Sequence, residues 1–308
     1  MAIHEGEPRR ENERSVTVYF DLMRHSNRFA GKGEWTDPMT GEVFKWDDTE
    51  NLTPEGKKVA QDYGANQLPE DVDFVVSVAS REPRAGETAG DIESGSKQGK
   101  RSLGPNTLKG VTYKELSPDA SKVLKVAKPL IEVEAAKHPS YGRLDQETRS
   151  KVRQTAQEVG LRYAIENEGM RKEIAEVEAF NLWLLRDMAR GAQKGTDKSF
   201  KTAMPIVTHG LFNEALLLEA LDIIDEESGE RRKAKDVDEL GGFFAPAESF
   251  RIKLENDGKS EKYEYGFVNP ERQKKFTGKR LELDWSRIKE LAQDYEKRTT
   301  PDAKPLVS

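Results

Sequence analysis

Short apolar runs alternate with longer helical patterns along the chain. Residues 15–23 (SVTVYFDLM), 73–80 (DFVVSVAS) and 203–210 (AMPIVTHG) are rich in β-branched and aromatic residues and have the length of a strand. Each run ends in small or polar residues just before a helical segment. We therefore expect strand–loop–helix units, which place parallel strands in one sheet.

The segment between the first two runs carries the signals of a helix start. Thr53 is a good N-cap residue, and Pro54 fits the first helical position. The order strand, helix, strand predicts that residues 15–23 and 73–80 form a parallel pair.

Two long segments predict a helical insertion. Residues 119–138 and about 145–193 contain strong helix formers, with apolar positions three and four residues apart. We expect them to form an inserted helical cap over about 119–200. The preceding stretch, 93–110, is rich in Gly, Ser and Lys, and is predicted to be a mobile loop or a lid.

The C-terminal part of the chain predicts an edge hairpin and a last helix. Asn, Asp and Gly at 256–258 are typical of a tight turn between strands, and a helical pattern covers about 284–297. We expect one α/β domain over 15–298, a disordered tail at 1–14 and a C-terminal tail at 299–308.

Composition excludes several classes of protein. The 308 residues contain no cysteine, which removes disulfides, thiolate nucleophiles and cysteine-ligated zinc. The net charge of -6, with both signs mixed along the chain, argues against a nucleic-acid partner. No apolar stretch approaches the roughly 18 residues of a membrane span, and the polar N-terminus lacks the apolar core of a signal peptide. We expect a cytoplasmic protein with no membrane partner.

Histidines and arginines follow the predicted strands. His25 comes after the first run and His209 lies near the end of the third, while Arg24, Arg28 and Arg84 lie near the ends of the first two. Ligands of open α/β sheets bind at the carboxyl ends of strands, so these side chains are expected to converge. Guanidinium groups bind phosphate oxygens, and a neutral imidazole either attacks phosphorus or donates a hydrogen bond. The pattern predicts a phosphate pocket.

The motifs LMRHSNRF, LTPEGKKVAQ, SREPRAGETA and IVTHG, in this order, resemble the histidine phosphatase superfamily, whose fold is phosphoglycerate-mutase-like. The resemblance covers most of the chain and implies a three-layer α/β/α sandwich with a mostly parallel central sheet. It implies that His25 is the transiently phosphorylated nucleophile. It also implies that Arg24 and Arg84 hold the phosphoryl oxygens and that His209 completes the pocket.

The first motif also departs from the family pattern. Arg28 resembles the extra arginine of the acid-phosphatase branch, although Ala30 stands where that branch has proline. Asn27 is a further candidate for phosphate binding. Ser26 replaces the family's glycine, and we expect it to be strained if the backbone there has a positive φ.

The proton donor is not fixed by the motifs. The sequence THG stands where the acid-phosphatase branch has histidine followed by aspartate, so the acid lies elsewhere. In the mutase-like branch it is a glutamate beyond the second arginine, which makes Glu115 the first candidate. Glu82 and Asp119 are the alternatives.

These expectations define a phosphomonoester hydrolase that acts through a phosphohistidine at His25, without a metal or other cofactor, on a small phosphorylated molecule. One alternative is a mutase-like phosphoryl transferase, and another is a catalytically silent module that binds a phosphorylated ligand. Neither the substrate nor the oligomeric state follows from the sequence.

Overall fold

The computed structural model describes residues 14–96, 106–107, 118–196, 198–301 and 306–307. Its strands are β1 (Val16–Arg24), β2 (Lys32–Thr36), β3 (Val43–Asp47), β4 (Phe74–Val75), β5 (Val78–Ala79), β6 (Asn106–Thr107), β7 (Phe200–Thr208), β8 (Leu221–Asp225), β9 (Arg231–Lys233), β10 (Ser249–Asn256), β11 (Glu261–Phe267) and β12 (Lys279–Leu283). Its helices are α1 (Pro54–Asn66), α2 (Pro83–Gly95), α3 (Pro118–Ala136), α4 (Gln146–Glu166), α5 (Glu168–Gly195), α6 (Phe212–Ala220), α7 (Pro270–Lys274) and α8 (Trp285–Thr299).

The central sheet has seven strands, of which six run in the order β11, β10, β1, β7, β5, β6, while β4 also pairs with β7. The pairs β1–β7, β4–β7, β5–β7 and β5–β6 are parallel, and β10 and β11 form the antiparallel edge. Strands β8, β9 and β12 form a second, small sheet, and β2 and β3 form a separate hairpin. The prediction of a mostly parallel central sheet is confirmed.

Strand β1 carries two different packing surfaces, because successive side chains of a strand point to opposite faces. Val18, Phe20 and Leu22 belong to the large apolar cluster that also contains residues of α5, α6 and α8. Tyr19 and Met23 belong to a second cluster, with residues of α1 and α2. The sheet therefore lies between two helical layers, and the predicted α/β/α sandwich is confirmed.

One detail of the predicted strand pairing is wrong. The segment 73–80 forms the two short strands β4 and β5, which are parallel to β1 but separated from it by β7. The nine residues of β1 and of β7 pair in register from Val16–Phe200 to Arg24–Thr208. Two long apolar strands bury more surface and form more hydrogen bonds against each other than either does against an interrupted strand.

The predicted start of α1 agrees with the structure. The helix begins at Pro54, and the Thr53 side chain accepts a hydrogen bond from the Gly56 amide at 3.0 Å. The loop predicted at 93–110 is wrong in two places. Helix α2 continues to Gly95, and Asn106–Thr107 forms strand β6. Residues 97–105 and 108–110 lie outside the described part of the chain.

Three helices occupy the range predicted for the helical insertion. Helices α3 and α4 pack closely, since a Cβ atom on Gly160 would lie 2.6 Å from the Ala127 carbonyl oxygen. Helix α5 contributes Ile174 and Leu182 to the large apolar cluster, so it also forms part of the helical layer under the sheet.

The C-terminal hairpin is the β10–β11 pair, whose turn contains Gly258 at a φ of 83°. The last helix runs from Trp285 to Thr299, close to its predicted limits. The predicted C-terminal tail includes Val307, which is buried and donates its amide hydrogen to Glu296 at 3.2 Å. Residues 1–13 of the predicted N-terminal tail lie outside the described residues. Among the described helices, none is both long and apolar enough to cross a membrane.

Candidate active site

The two predicted site histidines lie side by side at the carboxyl end of the sheet. Arg24 at the end of β1 pairs with Thr208 at the end of β7, and the His25 amide donates to the Thr208 carbonyl at 2.9 Å. This register brings His25 next to His209, with a distance of 5.4 Å between ring centroids. Both side chains are buried. The parallel pairing thus brings together two residues that are 184 positions apart in the sequence.

The contacts of His25 indicate which ring nitrogen is available for chemistry. Its Nδ1 lies 2.7 Å from the Ser26 carbonyl oxygen, which can only accept a hydrogen bond. We therefore assign the ring proton to Nδ1. This tautomer leaves a lone pair on Nε2, which lies 3.3 Å from Nε of Arg84.

Arg84 connects the two histidines and is 8% exposed. Its Nε donates to His25 Nε2 at 3.3 Å, and its NH2 group lies 3.4 Å from His209 Nδ1. Its NH1 group pairs with Glu50 at 3.1 Å and with Glu82 at 3.3 Å. The two imidazoles and this guanidinium therefore lie within the width of one phosphate group.

The tautomer of His209 follows from the same arginine. A guanidinium can only donate, so Nδ1 of His209 accepts from Arg84 and Nε2 carries the ring proton. That proton is directed at the Ser80 hydroxyl, whose oxygen lies 2.9 Å from Nε2. Ser80 stands at the end of the segment predicted as the second strand, and sequence reasoning did not single it out.

Arg28 lines the cavity, whereas Arg24 does not. Arg24 is buried, and donates to the Phe244 carbonyl at 2.7 Å and to the Gln157 side chain at 2.6 Å. Arg28 is half-buried, lines the cavity above the histidines and donates to the Phe29 carbonyl at 3.0 Å. Within the described ranges, no carboxylate lies at ion-pair distance from Arg28.

Burial and positive charge act together on this cluster. Burial, and after it the positive charge of Arg84, lowers the pKa of His25 and of His209 well below the ordinary histidine range. The same two causes lower the pKa of Arg28. Both imidazoles are therefore neutral at pH 7, while the arginines leave a positive potential that an anion would neutralise.

A cavity of about 420 Å³ opens above the histidines. Its lower part is formed by the strand-end residues described above, and its upper part by the inner faces of α3 and α4. These helices contribute Leu124, Ala127, Lys128, Ile131, Arg153 and Gln157. Sequence reasoning missed this set, although its members recur three or four residues apart on each helix.

The condition under which the sequence predicts strain at Ser26, a positive φ, is not met. The backbone of Ser26 is not among the positive-φ positions of the described residues. Its amide donates to the Thr88 hydroxyl at 3.0 Å, and its own hydroxyl donates to the Gly56 carbonyl at 2.7 Å. The side chain is fully buried and fixes the first motif to α1 and α2.

The neighbouring residue Asn27 also holds this loop in place. Its carbonyl oxygen accepts from the Thr53 amide at 3.0 Å, and a Cβ atom on Gly56 would lie 2.1 Å from that oxygen. Asn27 does not line the cavity. Its side-chain oxygen is buried and has no hydrogen-bond partner among the described residues.

The candidate proton donors fall into three different situations. Glu115 lies outside the described residues. Asp119 is 90% exposed, pairs with Lys122 at 2.8 Å and does not line the cavity, so as an alternative donor it is in the wrong place. Glu82 lines the cavity together with Glu50, a carboxylate that sequence reasoning missed.

Comparisons with known proteins give matches only among solved structures. No protein-family model matches the chain, and no curated protein does. A phytase from Klebsiella sp ASR1 has a TM-score of 0.44 and 13% identity, and the match covers 96% of each chain. A phytase from Citrobacter braakii has a TM-score of 0.44 and 12% identity, with 92% of this chain and 97% of that one covered. A mycobacterial glucosyl-3-phosphoglycerate phosphatase matches at a TM-score of 0.33 and 12% identity, with 88% and 98% covered. All three similarities are low, with TM-scores below 0.5 and identities of 12–13%.

Proposed function

We propose that this chain hydrolyses phosphomonoesters through a covalent intermediate on Nε2 of His25. The observation that carries the proposal is the position of Arg84, which donates to His25 Nε2 at 3.3 Å and lies 3.4 Å from His209 Nδ1. A tetrahedral phosphoryl group that replaces the direct contact between Arg84 and His25 would face the Nε2 lone pair on one side and the guanidinium donors of Arg84 on the other.

In the first step, the Nε2 lone pair attacks phosphorus. The N–P bond forms as the bond from phosphorus to the leaving oxygen breaks, and that oxygen takes a proton from a carboxylic acid. Arg84 and Arg28 stabilise the charge on the equatorial oxygens, and the Ser26 carbonyl accepts the Nδ1–H of the ring as it becomes cationic.

In the second step, water attacks the phosphorus of phosphohistidine. The N–P bond breaks, its electron pair returns to Nε2, and the conjugate base of the acid accepts a proton from the water. Glu82 is a candidate for this acid because it lines the cavity. Glu115 remains a candidate from the sequence resemblance.

The silent-module alternative loses its main support in this site. It depended on a strained loop at Ser26, and this residue has satisfied hydrogen bonds and no positive φ. The mutase alternative differs from hydrolysis in the fate of the phosphoryl group, which would return to a bound substrate before water reaches it.

The test is hydrolysis of an aryl phosphate in the presence of a chelator. The wild type should release phosphate. When the labelled intermediate is trapped, the protein should be denatured without acid, because the N–P bond is acid-labile. His25→Ala should reduce kcat/KM at least about a thousandfold and abolish trapping.

His138→Ala is the matched control, since His138 is exposed and lies outside the cavity. Equal rates for the wild type and His25→Ala would disprove the nucleophile, and isomer exchange without phosphate release would favour the mutase.

A further inference from the structure

Leu211 has an unusual backbone conformation directly beside the site. It follows His209 and Gly210, lines the cavity and has φ 93° and ψ -37°. A residue with a Cβ atom rarely adopts a positive φ, because the side chain then crowds its own backbone. Some contact must therefore hold Leu211 in this conformation.

Two contacts hold its backbone: the Leu211 carbonyl accepts from the Ala215 amide at 2.8 Å, and the Leu211 amide donates to Glu214, one turn further along α6. Oε2 of Glu214 accepts the Leu211 amide hydrogen at 3.0 Å. Oε1 of the same carboxylate accepts the amide hydrogen of Phe244 at 2.7 Å. The carboxylate is fully buried and joins the loop after β7 to the loop before β10.

The Phe244 contact extends to Arg24, which the sequence resemblance predicts to hold the phosphoryl oxygens. The Phe244 carbonyl oxygen accepts from NH1 of Arg24 at 2.7 Å. Glu214 therefore has one oxygen on the backbone that follows His209 and the other on the residue that holds Arg24.

We propose that Glu214 is a positioning residue of the phosphate site, which keeps Leu211 in its strained conformation and fixes the peptide that orients Arg24. The inference rests on the proposed function, because it assigns Glu214 a role in the same site. Both of its contacts are backbone N–H donors, so the role requires an acceptor on each oxygen.

This requirement predicts the effect of Glu214→Gln, a change that keeps the size of the side chain. The amide presents an NH2 group to one of the two backbone N–H groups, so one hydrogen bond is lost and two donors face each other. We expect the affinity for inorganic phosphate, measured by calorimetry, to fall about tenfold. We expect kcat/KM for an aryl phosphate to fall at least as much.

Glu178→Gln is the matched control. Glu178 is also fully buried, lies close enough to Glu214 to affect its charge, and neither of its oxygens has a hydrogen-bond partner among the described residues. Burial raises the pKa of Glu178 to about 8, so the carboxyl is neutral at pH 7 and the amide keeps its charge and size. This variant should keep the wild-type phosphate affinity.

A second substitution separates positioning from a merely structural role. Glycine adopts a positive φ without strain, so in the Leu211→Gly background the loop no longer needs the Glu214 contact to hold it. The penalty of Glu214→Gln on phosphate affinity should then be clearly smaller than in the Leu211 background. Circular dichroism and a thermal melt would show that the wild type, the two single variants Glu214→Gln and Leu211→Gly, and their double variant are all folded.

Two results would contradict the inference, in whole or in part. An unchanged phosphate affinity and kcat/KM in folded Glu214→Gln would overturn the whole inference. An equal penalty in both Leu211 backgrounds would overturn the role assigned to the Leu211 contact and leave the loss to the Phe244 contact. A wild type that binds phosphate without hydrolysing any phosphomonoester would instead overturn the proposed function alone, because phosphate affinity still measures the effect of Glu214.

Discussion

The chemistry proposed for His25 requires a neutral imidazole in a positively charged environment. Protonation of Nε2 would remove the lone pair that attacks phosphorus. Burial and Arg84 both disfavour the cationic ring and lower its pKa, so the arginine that we propose to bind the phosphate also keeps the proposed nucleophile unprotonated. In the proposed mechanism, Arg84 contributes to both binding and attack from one position.

The same pKa shift has a consequence for stability. In the unfolded chain each histidine takes up a proton near pH 6.5, whereas in the folded protein the depressed pKa of His25 and His209 delays protonation to lower pH. The unfolded state then binds more protons, so the free energy of unfolding falls as pH drops below about 6.5. Removing one ring, as in His209→Gln, should make this fall less steep.

Urea unfolding of the wild type and His209→Gln between pH 8 and pH 5 measures this effect. The difference in slope should approach one proton, which is about 1.4 kcal/mol per pH unit. His138→Gln, which alters an exposed histidine, should leave the wild-type slope. Parallel pH profiles for the wild type and His209→Gln would show that His209 is not held neutral by the fold.

Individual site residues could be predicted from the sequence only where a motif marks them. His25, Arg24, Arg84 and His209 could be named because each directly follows or lies close to the end of a recognisable strand. Glu214 could not be named, because a glutamate in an apolar helix start carries no signal of its backbone partners. Those partners lie three and thirty residues away and meet only after folding.

Between elements, the first motif depends on close backbone packing against α1. A Cβ atom on Gly56 would lie only 2.1 Å from the Asn27 carbonyl oxygen. The Ser26 hydroxyl donates to the Gly56 carbonyl at 2.7 Å. Only glycine allows this approach. The start of α1 therefore fixes the loop that contains His25.

Gly56→Ala should move that loop away from the helix. We expect a destabilisation of about 1–3 kcal/mol, since the clash is with backbone and not with a flexible side chain. We also expect kcat/KM to fall about tenfold or more, because His25 would shift relative to Arg84. Urea unfolding and steady-state kinetics measure the two effects.

Gly90→Ala is the matched control for this prediction. Gly90 lies inside α2, where an added Cβ atom would meet nothing within 4 Å. Alanine is a better helix former than glycine, so this variant should be stabilised by about 0.5–1 kcal/mol and keep its activity. If Gly56→Ala behaved like Gly90→Ala, the close approach to Asn27 would not constrain the loop.

Local patterns predicted the elements better than their arrangement. The three strand-like runs, the start of α1 and the C-terminal hairpin follow from signals within a few residues. The position of β7 between β1 and β5 does not, since it depends on which apolar strands bury most surface together. The sequence also does not show which face of α3 and of α4 is turned toward the cavity, because both helices have apolar residues on two sides.

For the whole molecule, the sign of the net charge and that of the cleft are opposite. The chain carries a net charge of -6, yet the cavity is lined by Arg28, Arg84, Lys128 and Arg153 against Glu50 and Glu82. The segregation is produced by the fold, because these cations come from a loop, α2 and the two inserted helices. A local positive potential of this kind attracts an anionic substrate into the cavity even though the whole protein is acidic.

Lys128 offers the clearest test of this potential, because it lines the upper part of the cavity and is exposed to solvent. For a dianionic aryl phosphate, kcat/KM of the wild type should fall as ionic strength rises, since salt screens exposed charges. Lys128→Gln should lower kcat/KM about threefold at low salt and show a weaker dependence on ionic strength.

Lys125→Gln separates the potential of the cleft from the total charge of the protein. Lys125 lies one turn away on the same helix, is also exposed and does not line the cavity, so both substitutions change the net charge equally. If position relative to the cavity is what matters, Lys125→Gln keeps the salt dependence of the wild type and Lys128→Gln does not. Equal losses in the two variants would mean that the substrate responds to net charge, and that the inserted helices give the cleft no local field of its own.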